Sequence, residues 1–363
     1  MIERLLLVST CGTSLLTNGA SEADRTWLTQ IANDVDVVGD VDVARLTRLV
    51  KDRRARLEAA DEGEPRRMSA EWNGICAVLD RYKPRQVNHL LVSTDTALGK
   101  AAVELVESLL GAQTQRVSAS GLRTNDLASF REALAELTKQ LDAVVQEYQR
   151  QGWFVVFNLT GGFKSLNGYL QTLAMISADR CVFLFEGARE LMEIPRLPVR
   201  LAELEELREH AEVFRRLAVG YRVSVDDARN APGALLMELD GEVATSVLGN
   251  VAWARQRAAL QAEELQPPLS SKVRITDSVA RAFAKLEAVH KVQVNEALDE
   301  YCAYVDHGRA LPKSRTFKKL QGDPVPGSTH ELYAWSDGAT GRLFGHYDDA
   351  SVFVFDRLGG HLR

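Results

Sequence analysis

Two groups of residues have side chains suited to handling phosphate, and they lie at opposite ends of the chain. The first is a pair of short loops at 9–13 and 158–164. Ser9, Thr10, Gly12 and Thr13 follow the apolar run Leu5-Leu6-Leu7-Val8, and Asn158, Thr160, Gly161, Gly162, Phe163 and Lys164 follow Phe154-Val155-Val156-Phe157. Small hydroxyl, amide and glycine residues at a strand end leave backbone N–H groups open to an anion, and a following helix N-terminus adds a favourable dipole. Gly161 and Gly162 would let the backbone approach a ligand, Lys164 would add a charge, and Phe163 an apolar face for a base. Thr94, Asp95 and Thr96 end a third apolar run and are candidates for the same pocket. The second is a basic stretch near the C-terminus, where Arg309, Lys313, Arg315, Lys318 and Lys319 fall within a dozen residues with no acid among them.

Familiar phosphate motifs are incomplete. The pattern GxxxxGK[ST] fails because Phe163 separates Gly162 from Lys164, and GxGxxG does not occur. Ordinary β–α turns are the plain alternative for any one loop, since Thr, Asn and Gly cap helices well. Three such loops ending neighbouring strands weigh against that. Cys11, Cys76, Cys181 and Cys302 are far apart and form neither CxxC nor a Cys/His spacing, so no metal site and no disulfide framework is expected.

The formal net charge is −6, which argues against a protein that coats nucleic acid indiscriminately. Residues 272–363 carry 13 Lys/Arg against 12 Asp/Glu, so the acidity resides in the preceding part. No leader pattern and no run of about 18 apolar residues occurs. The expectation is a cytoplasmic protein with no membrane contact.

These groups need elements to hold them. Apolar runs at 4–10, 87–93, 153–157 and 180–185 alternate with helical spacing at 41–60, 66–81, 100–110, 130–151 and 166–178. That alternation predicts an α/β fold, a Rossmann-like parallel sheet with helices on both faces. Ligands of such sheets sit beyond the carboxyl ends of the strands. A charged helix is predicted over 199–219, then a turn at 226–232 and helical segments to 266. Pro267-Pro268 with Ser270-Ser271 reads as a linker. One or two helices over 273–305 precede strands at 330–335, 342–347 and 351–355, a small α+β domain with an antiparallel sheet, with Lys318 and Lys319 at a helix end. The expected domains are 1–190, a helical and winged-helix-like linker at 191–270, and 271–363.

The strings Val8-Ser9-Thr10-Cys11-Gly12-Thr13-Ser14 and Asn158-Leu159-Thr160-Gly161-Gly162-Phe163-Lys164 resemble CRISPR-associated CARF domains over residues 1–190. Members of that family form homodimers, bind cyclic oligoadenylate across the two-fold axis and activate a C-terminal effector. The resemblance implies that Ser9, Thr10, Gly12, Thr13, Asn158, Thr160, Gly161, Gly162, Phe163 and Lys164 line the ligand pocket, with Thr94, Asp95 and Thr96 as neighbours. It implies no cofactor beyond the activator, for which cyclic tetra-adenylate stands ahead of the hexa-adenylate.

The C-terminal end does not suit the HEPN nucleases common in CARF effectors. Arg281 lies too far before His290, and Arg342 and His346 fall in a predicted strand. The divalent-metal nuclease pattern fails too, since His330-Glu331-Leu332-Tyr333 lacks its lysine. Phe317-Lys318-Lys319-Leu320-Gln321-Gly322, Gly341-Arg342-Leu343-Phe344, Asp348-Asp349 and Gly359-Gly360-His361-Leu362-Arg363 instead resemble RelE-type toxins over 275–363. That family cleaves mRNA in the ribosomal A site without metal. The resemblance gives Arg342 the role of phosphate-stabilising arginine. It makes His361 or Arg363 the cation after the last strand, and Lys318 and Lys319 the basic segment. Leu332 and Ala334 stand where some members have a Lys-x-Lys pair, and the family's C-terminal Tyr is missing, so proton transfer falls to His346, His361 or Tyr333. Together the resemblances imply a cyclic-oligoadenylate-activated, ribosome-dependent mRNA endoribonuclease of type III CRISPR defence. The alternatives are a CARF-type transcription regulator or a ring nuclease.

Overall fold

The computed structural model describes residues 2–61, 63–111, 114–122, 127–162, 164–185, 190–198, 204–239, 241–322, 324–336 and 340–360. They fall into two compact units, Met1–Val199 and Arg200–Arg363.

The first unit contains β1 (Arg4–Thr10), α1 (Ser14–Thr17), α2 (Glu22–Gln30), α3 (Asp40–Ala59), α4 (Glu64–Met68), α5 (Ala70–Tyr82) and β2 (Gln86–Val92). It continues with α6 (Ala97–Leu110), β3 (Thr114–Val117), α7 (Leu127–Arg150), β4 (Phe154–Asn158), α8 (Lys164–Ser177), β5 (Arg180–Leu184) and β6 (Leu191–Pro195). The strands form one sheet in the order β3-β2-β1-β4-β5-β6. All neighbours are parallel except β5 and β6. Leu5, Leu7, Val155 and Val156 are fully buried, as unbroken apolar strands covered on both faces must be. The strand order reverses between β1 and β4, which is where a doubly wound sheet opens its ligand crevice. Those strands run in step from Leu5 opposite Phe154 to Ser9 opposite Asn158, so their two loops leave the sheet side by side.

Two strands escape the apolar-run signal. β3 is a short edge strand with exposed Gln115 and Arg116, and β6 is a partly exposed edge strand carrying Glu193 and Pro195. Because β6 pairs with β5, the first unit extends past residue 190.

In the second unit, α9 (Leu204–Glu209) and α10 (Ala211–Ala218) replace the single helix expected over 199–219. They are followed by β7 (Val223–Ser224), α11 (Val225–Ala228), β8 (Leu236–Leu239), β9 (Glu242–Thr245) and α12 (Val247–Glu263). The antiparallel sheet β7-β9-β8 means that this stretch is not helical throughout. Its order is helix, strand, short helix and hairpin.

The chain then forms β10 (Val273–Ile275), α13 (Asp277–Ala284), α14 (Ala288–His307), β11 (Phe317–Lys319), β12 (His330–Trp335), β13 (Gly341–Tyr347) and β14 (Phe353–Gly360). These five strands are ordered β10-β14-β13-β12-β11, antiparallel apart from β10 with β14. One sheet face packs on α14, where fully buried Tyr301 meets Phe317, Phe353 and Phe355.

The middle segment docks on the same helix. Arg215 donates to both carboxylate oxygens of Asp299, at 3.0 and 2.6 Å, and the Tyr221 hydroxyl donates to Asp306 at 2.8 Å. The Asn295 amide donates to the carbonyls of Gln261 and Glu264. Residues 204–266 therefore belong to the same compact unit as the C-terminal sheet. Among the described residues no helix is long and apolar enough to cross a membrane.

Candidate functional site

The loops after β1 and β4 are joined by buried polar contacts. Asn158 Nδ2 donates to Ser9 Oγ at 3.4 Å, and the Thr10 hydroxyl donates to the Gly161 carbonyl at 2.6 Å. Asn158 Oδ1 accepts from the Thr160 hydroxyl at 2.7 Å, and the Thr160 oxygen accepts from the Leu184 N–H at 3.1 Å. Gly162 has φ +93°, and a Cβ there would lie 2.9 Å from Thr10 Cβ, so only glycine suits the position. Ser9, Thr10, Asn158, Thr160, Gly161 and Gly162 thus form one cluster. Gly12 touches it, since its Cβ would lie 2.9 Å from the Gly162 nitrogen. Thr13 precedes α1 beside it. Lys164 opens α8, and Phe163 lies outside the described residues.

Thr94, Asp95 and Thr96 serve the neighbouring joint. Thr96 caps α6 by accepting from the Gly99 N–H, its hydroxyl is 2.9 Å from that of Thr94, and Asp95 accepts from the Gly121 N–H at 2.9 Å.

At the centre of the first cluster is a residue that the sequence did not single out. Glu71, 3% exposed, accepts from the Gly12 N–H at 3.0 Å, from the Ser69 hydroxyl at 2.7 Å and from the Ser14 hydroxyl. A Cβ on Gly161 would lie 2.3 Å from Glu71 Cγ, and one on Gly12 would lie 2.6 Å from its Oε1. These glycines therefore make room for a carboxylate of the protein itself. Helix α5 comes this close because Gly74 lies against the loop. A Cβ there would be 2.6 Å from both Asn158 Oδ1 and Thr160 Oγ1.

Beyond the end of β5 is a cavity of about 750 Å³, lined by Arg66, Asn73, Asp80, Arg81, Leu184 and Glu193 among others. That volume suits a nucleotide-sized ligand. Its guanidiniums are already paired, Arg66 with Asp80 at 2.8 Å and Arg81 with Glu193 at 2.9 Å.

In the second unit Lys318 and Arg342 lie on the sheet face turned away from α14. Phe317, Leu332 and Leu343 face each other in register and belong to the core, so Lys318, Glu331 and Phe344 occupy the opposite, outer face. Tyr333 is paired with Arg342 on that same face. Arg342, 6% exposed, donates to both oxygens of Glu331 at 2.7 and 2.6 Å, and its guanidinium carbon lies 4.1 Å from the centre of the Tyr333 ring. Lys318 is 3.3 Å from Glu331 and also lies over Tyr333. The Tyr333 hydroxyl, and after it Glu331, raise the Lys318 ammonium above its ordinary value.

Alternation places Lys319 on the other side of β11, paired with His330. Both lysines are on a strand, not at a helix end. Leu332 and Ala334 are fully buried, and the strand face shared with Arg342 carries Glu331 and Tyr333. His346 lies four residues beyond Arg342 on β13. Its Nδ1 is 3.0 Å from Asp356, which also accepts from the Ser328 hydroxyl at 3.0 Å. His330 stacks on Phe317, and burial followed by Lys319 lowers its pKa. His361 and Arg363 lie outside the described residues.

Residues 66–197 match the family model described as CRISPR-associated protein (Cas_APE2256). The matched stretch holds Glu71, the 158–164 loop and residues of the cavity, so this part of the chain is similar to a CRISPR-associated protein. It includes neither the loop after β1 nor the second unit. None of the curated proteins matches the chain.

Glu71, Glu331 and Asp356 are the site residues that sequence reasoning missed. Strand alternation could have found Glu331, because it lies two residues from Tyr333 on one face. Nothing in local spacing could have found Glu71, whose partners Gly12 and Ser14 are 59 and 57 residues away.

Proposed function

We propose that this chain is a cyclic-oligoadenylate-activated, ribosome-dependent endoribonuclease of type III CRISPR defence that cleaves mRNA in the A site. The outer face of the C-terminal sheet carries the proposal. Arg342 is more than nine-tenths buried, yet its Nε has no hydrogen-bond partner among the described residues. Buried donors are rarely left so, and this one becomes available to an acceptor oxygen of a substrate once the Arg342 side chain turns toward the surface. Lys318, Arg342 and Glu331 together carry a net positive charge, the sign a phosphodiester requires.

In the reaction the mRNA 2′-oxygen forms a bond to the adjacent phosphorus and the bond from phosphorus to the 5′-oxygen breaks. A 2′,3′-cyclic phosphate and a 5′-hydroxyl remain. Arg342 and Lys318 offset the charge that develops on the phosphoryl oxygens. His346, oriented by Asp356, moves the proton between the attacking and leaving oxygens. The loop cluster and cavity of the first unit take the activator, with cyclic tetra-adenylate preferred, and a homodimer would present each donor set twice. With a net charge of −6, capture by ribosomal RNA alone would be slow, which favours a protein contact on the ribosome.

The regulator alternative finds little support in the middle segment. Arg208, Arg215 and Arg216 are paired with Glu263, Asp299 and Glu212, leaving few cations for DNA phosphate. Attack on the activator by Ser9 or Thr10 is disfavoured as well, since both are buried and their hydroxyls bond within the protein.

Toeprinting of translating ribosomes tests the proposal. A-site cleavage is expected only when protein and cyclic tetra-adenylate are both present, and it should vanish in Arg342→Ala. A salt-dependent shift of promoter DNA without RNA cleavage would reverse the conclusion in favour of a regulator.

A further inference from the structure

We infer that the Gly12 N–H and the Ser14 and Ser69 hydroxyls form a phosphoryl subsite, which the Glu71 carboxylate fills in this structure and which a ligand phosphate takes over. The inference rests on reading the first unit as a nucleotide sensor. All three donors converge on one carboxylate, and none of them is a cation. Neutral dipoles of this kind hold phosphate in backbone nests. Ser69 is fully buried, so the donor set is part of the built interior rather than a surface accident.

The backbone is shaped around whatever occupies this place. A side chain on Gly12 or Gly161 would collide with the Glu71 carboxylate, so those glycines open a space of carboxylate size beside the crevice. The contacts come from three segments: the loop after β1, the junction of α4 and α5, and the loop after β4. The same α5 lines the nucleotide-sized cavity through Asn73, Ala77, Asp80 and Arg81. A ligand seated in that cavity is therefore next to the helix that carries Glu71.

Carboxylate and phosphate oxygens make the same demands on N–H and O–H donors, but they cannot share these. Two anions within a few ångströms and away from water repel strongly, and among the described residues no cation is paired with Glu71. Entry of a phosphate and withdrawal of the Glu71 carboxylate are thus one event, and it reaches all three segments at once. Glu71 sets how tightly a ligand must bind before the loops rearrange.

Glu71→Gln keeps the shape and removes the charge. Calorimetric titration with cyclic tetra-adenylate is expected to give binding about tenfold tighter to this variant than to the unaltered protein. Glu71→Ala empties the subsite, so inorganic phosphate should raise its melting temperature while leaving that of the unaltered protein unchanged. If the alanine variant does not fold, Glu71→Gln takes its place in the phosphate assay with the same expected direction. The phosphate measurement involves no nucleotide and separates the two ideas. A phosphate-dependent rise with no cyclic tetra-adenylate binding to any variant would leave the subsite standing and remove the nucleotide reading. Two results would overturn the subsite: a phosphate effect no larger than in the unaltered protein, or cyclic tetra-adenylate binding that Glu71→Gln fails to tighten.

Discussion

Each unit buries one glutamate at its candidate site, and the two are held in opposite ways. Glu71 is bound by a backbone N–H and two hydroxyls, so among the described residues its donors leave its charge unbalanced. Glu331 is bound by Arg342 and Lys318 above the Tyr333 ring, so its surroundings are net positive. A phosphate reaching the first site meets a like charge that must withdraw. One reaching the second meets the exposed Lys318 ammonium, with Arg342 beneath it. The first arrangement suits a sensor that resists stray anions, and the second suits a surface that takes any RNA backbone delivered to it.

The comparison predicts unequal losses of stability. Removing Arg342 leaves Glu331 as a buried carboxylate with one exposed lysine for company, which should cost about 3–5 kcal/mol. Removing Glu71 takes a charge away and strands neutral donors, a loss of about 1–3 kcal/mol. Urea denaturation of Arg342→Ala and Glu71→Ala measures both, and equal losses would break the distinction. Replacing Arg342 and Glu331 together by leucine should recover most of the stability while RNA cleavage stays absent.

Acid should weaken the first unit more than the second. His89 on β2 is buried, and desolvation lowers its pKa from the ordinary 6.5 to about 4. The folded value lies below the unfolded one, so the unfolded chain binds the proton first. Stability is intact above pH 6.5 and falls as the pH drops toward 4, by about 3 kcal/mol in all. His330 in the second unit is also lowered, but it is only partly buried and the loss there should be smaller. Hydrogen exchange followed from pH 7 to 4 should show β1 and β4 losing protection before β13 and β14. His89→Leu should remove the difference, and equal loss in both units would count against the assignment.

How far this comparison could be read from the sequence depended on distance along the chain. Continuous apolar runs located β1, β2, β4 and β5, because burial on both faces leaves a mark within a few residues. The strand-end loops were legible for the same reason, and β1 and β4 do bring Ser9 and Thr10 to Asn158 and Gly161. Edge strands β3 and β6 left no such mark, since half their surface is wet. The β8–β9 hairpin did leave one, Asp240-Gly241 between two apolar pairs, but helical spacing nearby obscured it. Polar partners were the hardest to see. The strand containing Glu331 was predicted, yet its facing was settled only by pairing Tyr333 with Arg342. Glu71 depends on a helix approaching across Gly74, which no local pattern encodes.

The smallest expected effects separate the role of a ring from that of its hydroxyl. Tyr333→Leu removes the face beneath Arg342 and should lower stability by about 1 kcal/mol. Ser69→Ala, its counterpart in the first unit, removes a helix cap and one donor to Glu71, a loss of about 1 kcal/mol. Tyr333→Phe keeps the ring and loses only the hydroxyl that raises Lys318, so its stability should stay close to that of the unaltered protein. If the His346–Asp356 pair moves the proton, ribosome-dependent cleavage by Tyr333→Phe should also stay close to normal. His346→Ala should then be slower by a factor of about 10². The reverse pattern, with cleavage lost in Tyr333→Phe and kept in His346→Ala, would move the proton-transfer role to the phenol. Glu331 would then act by holding two cations against that ring.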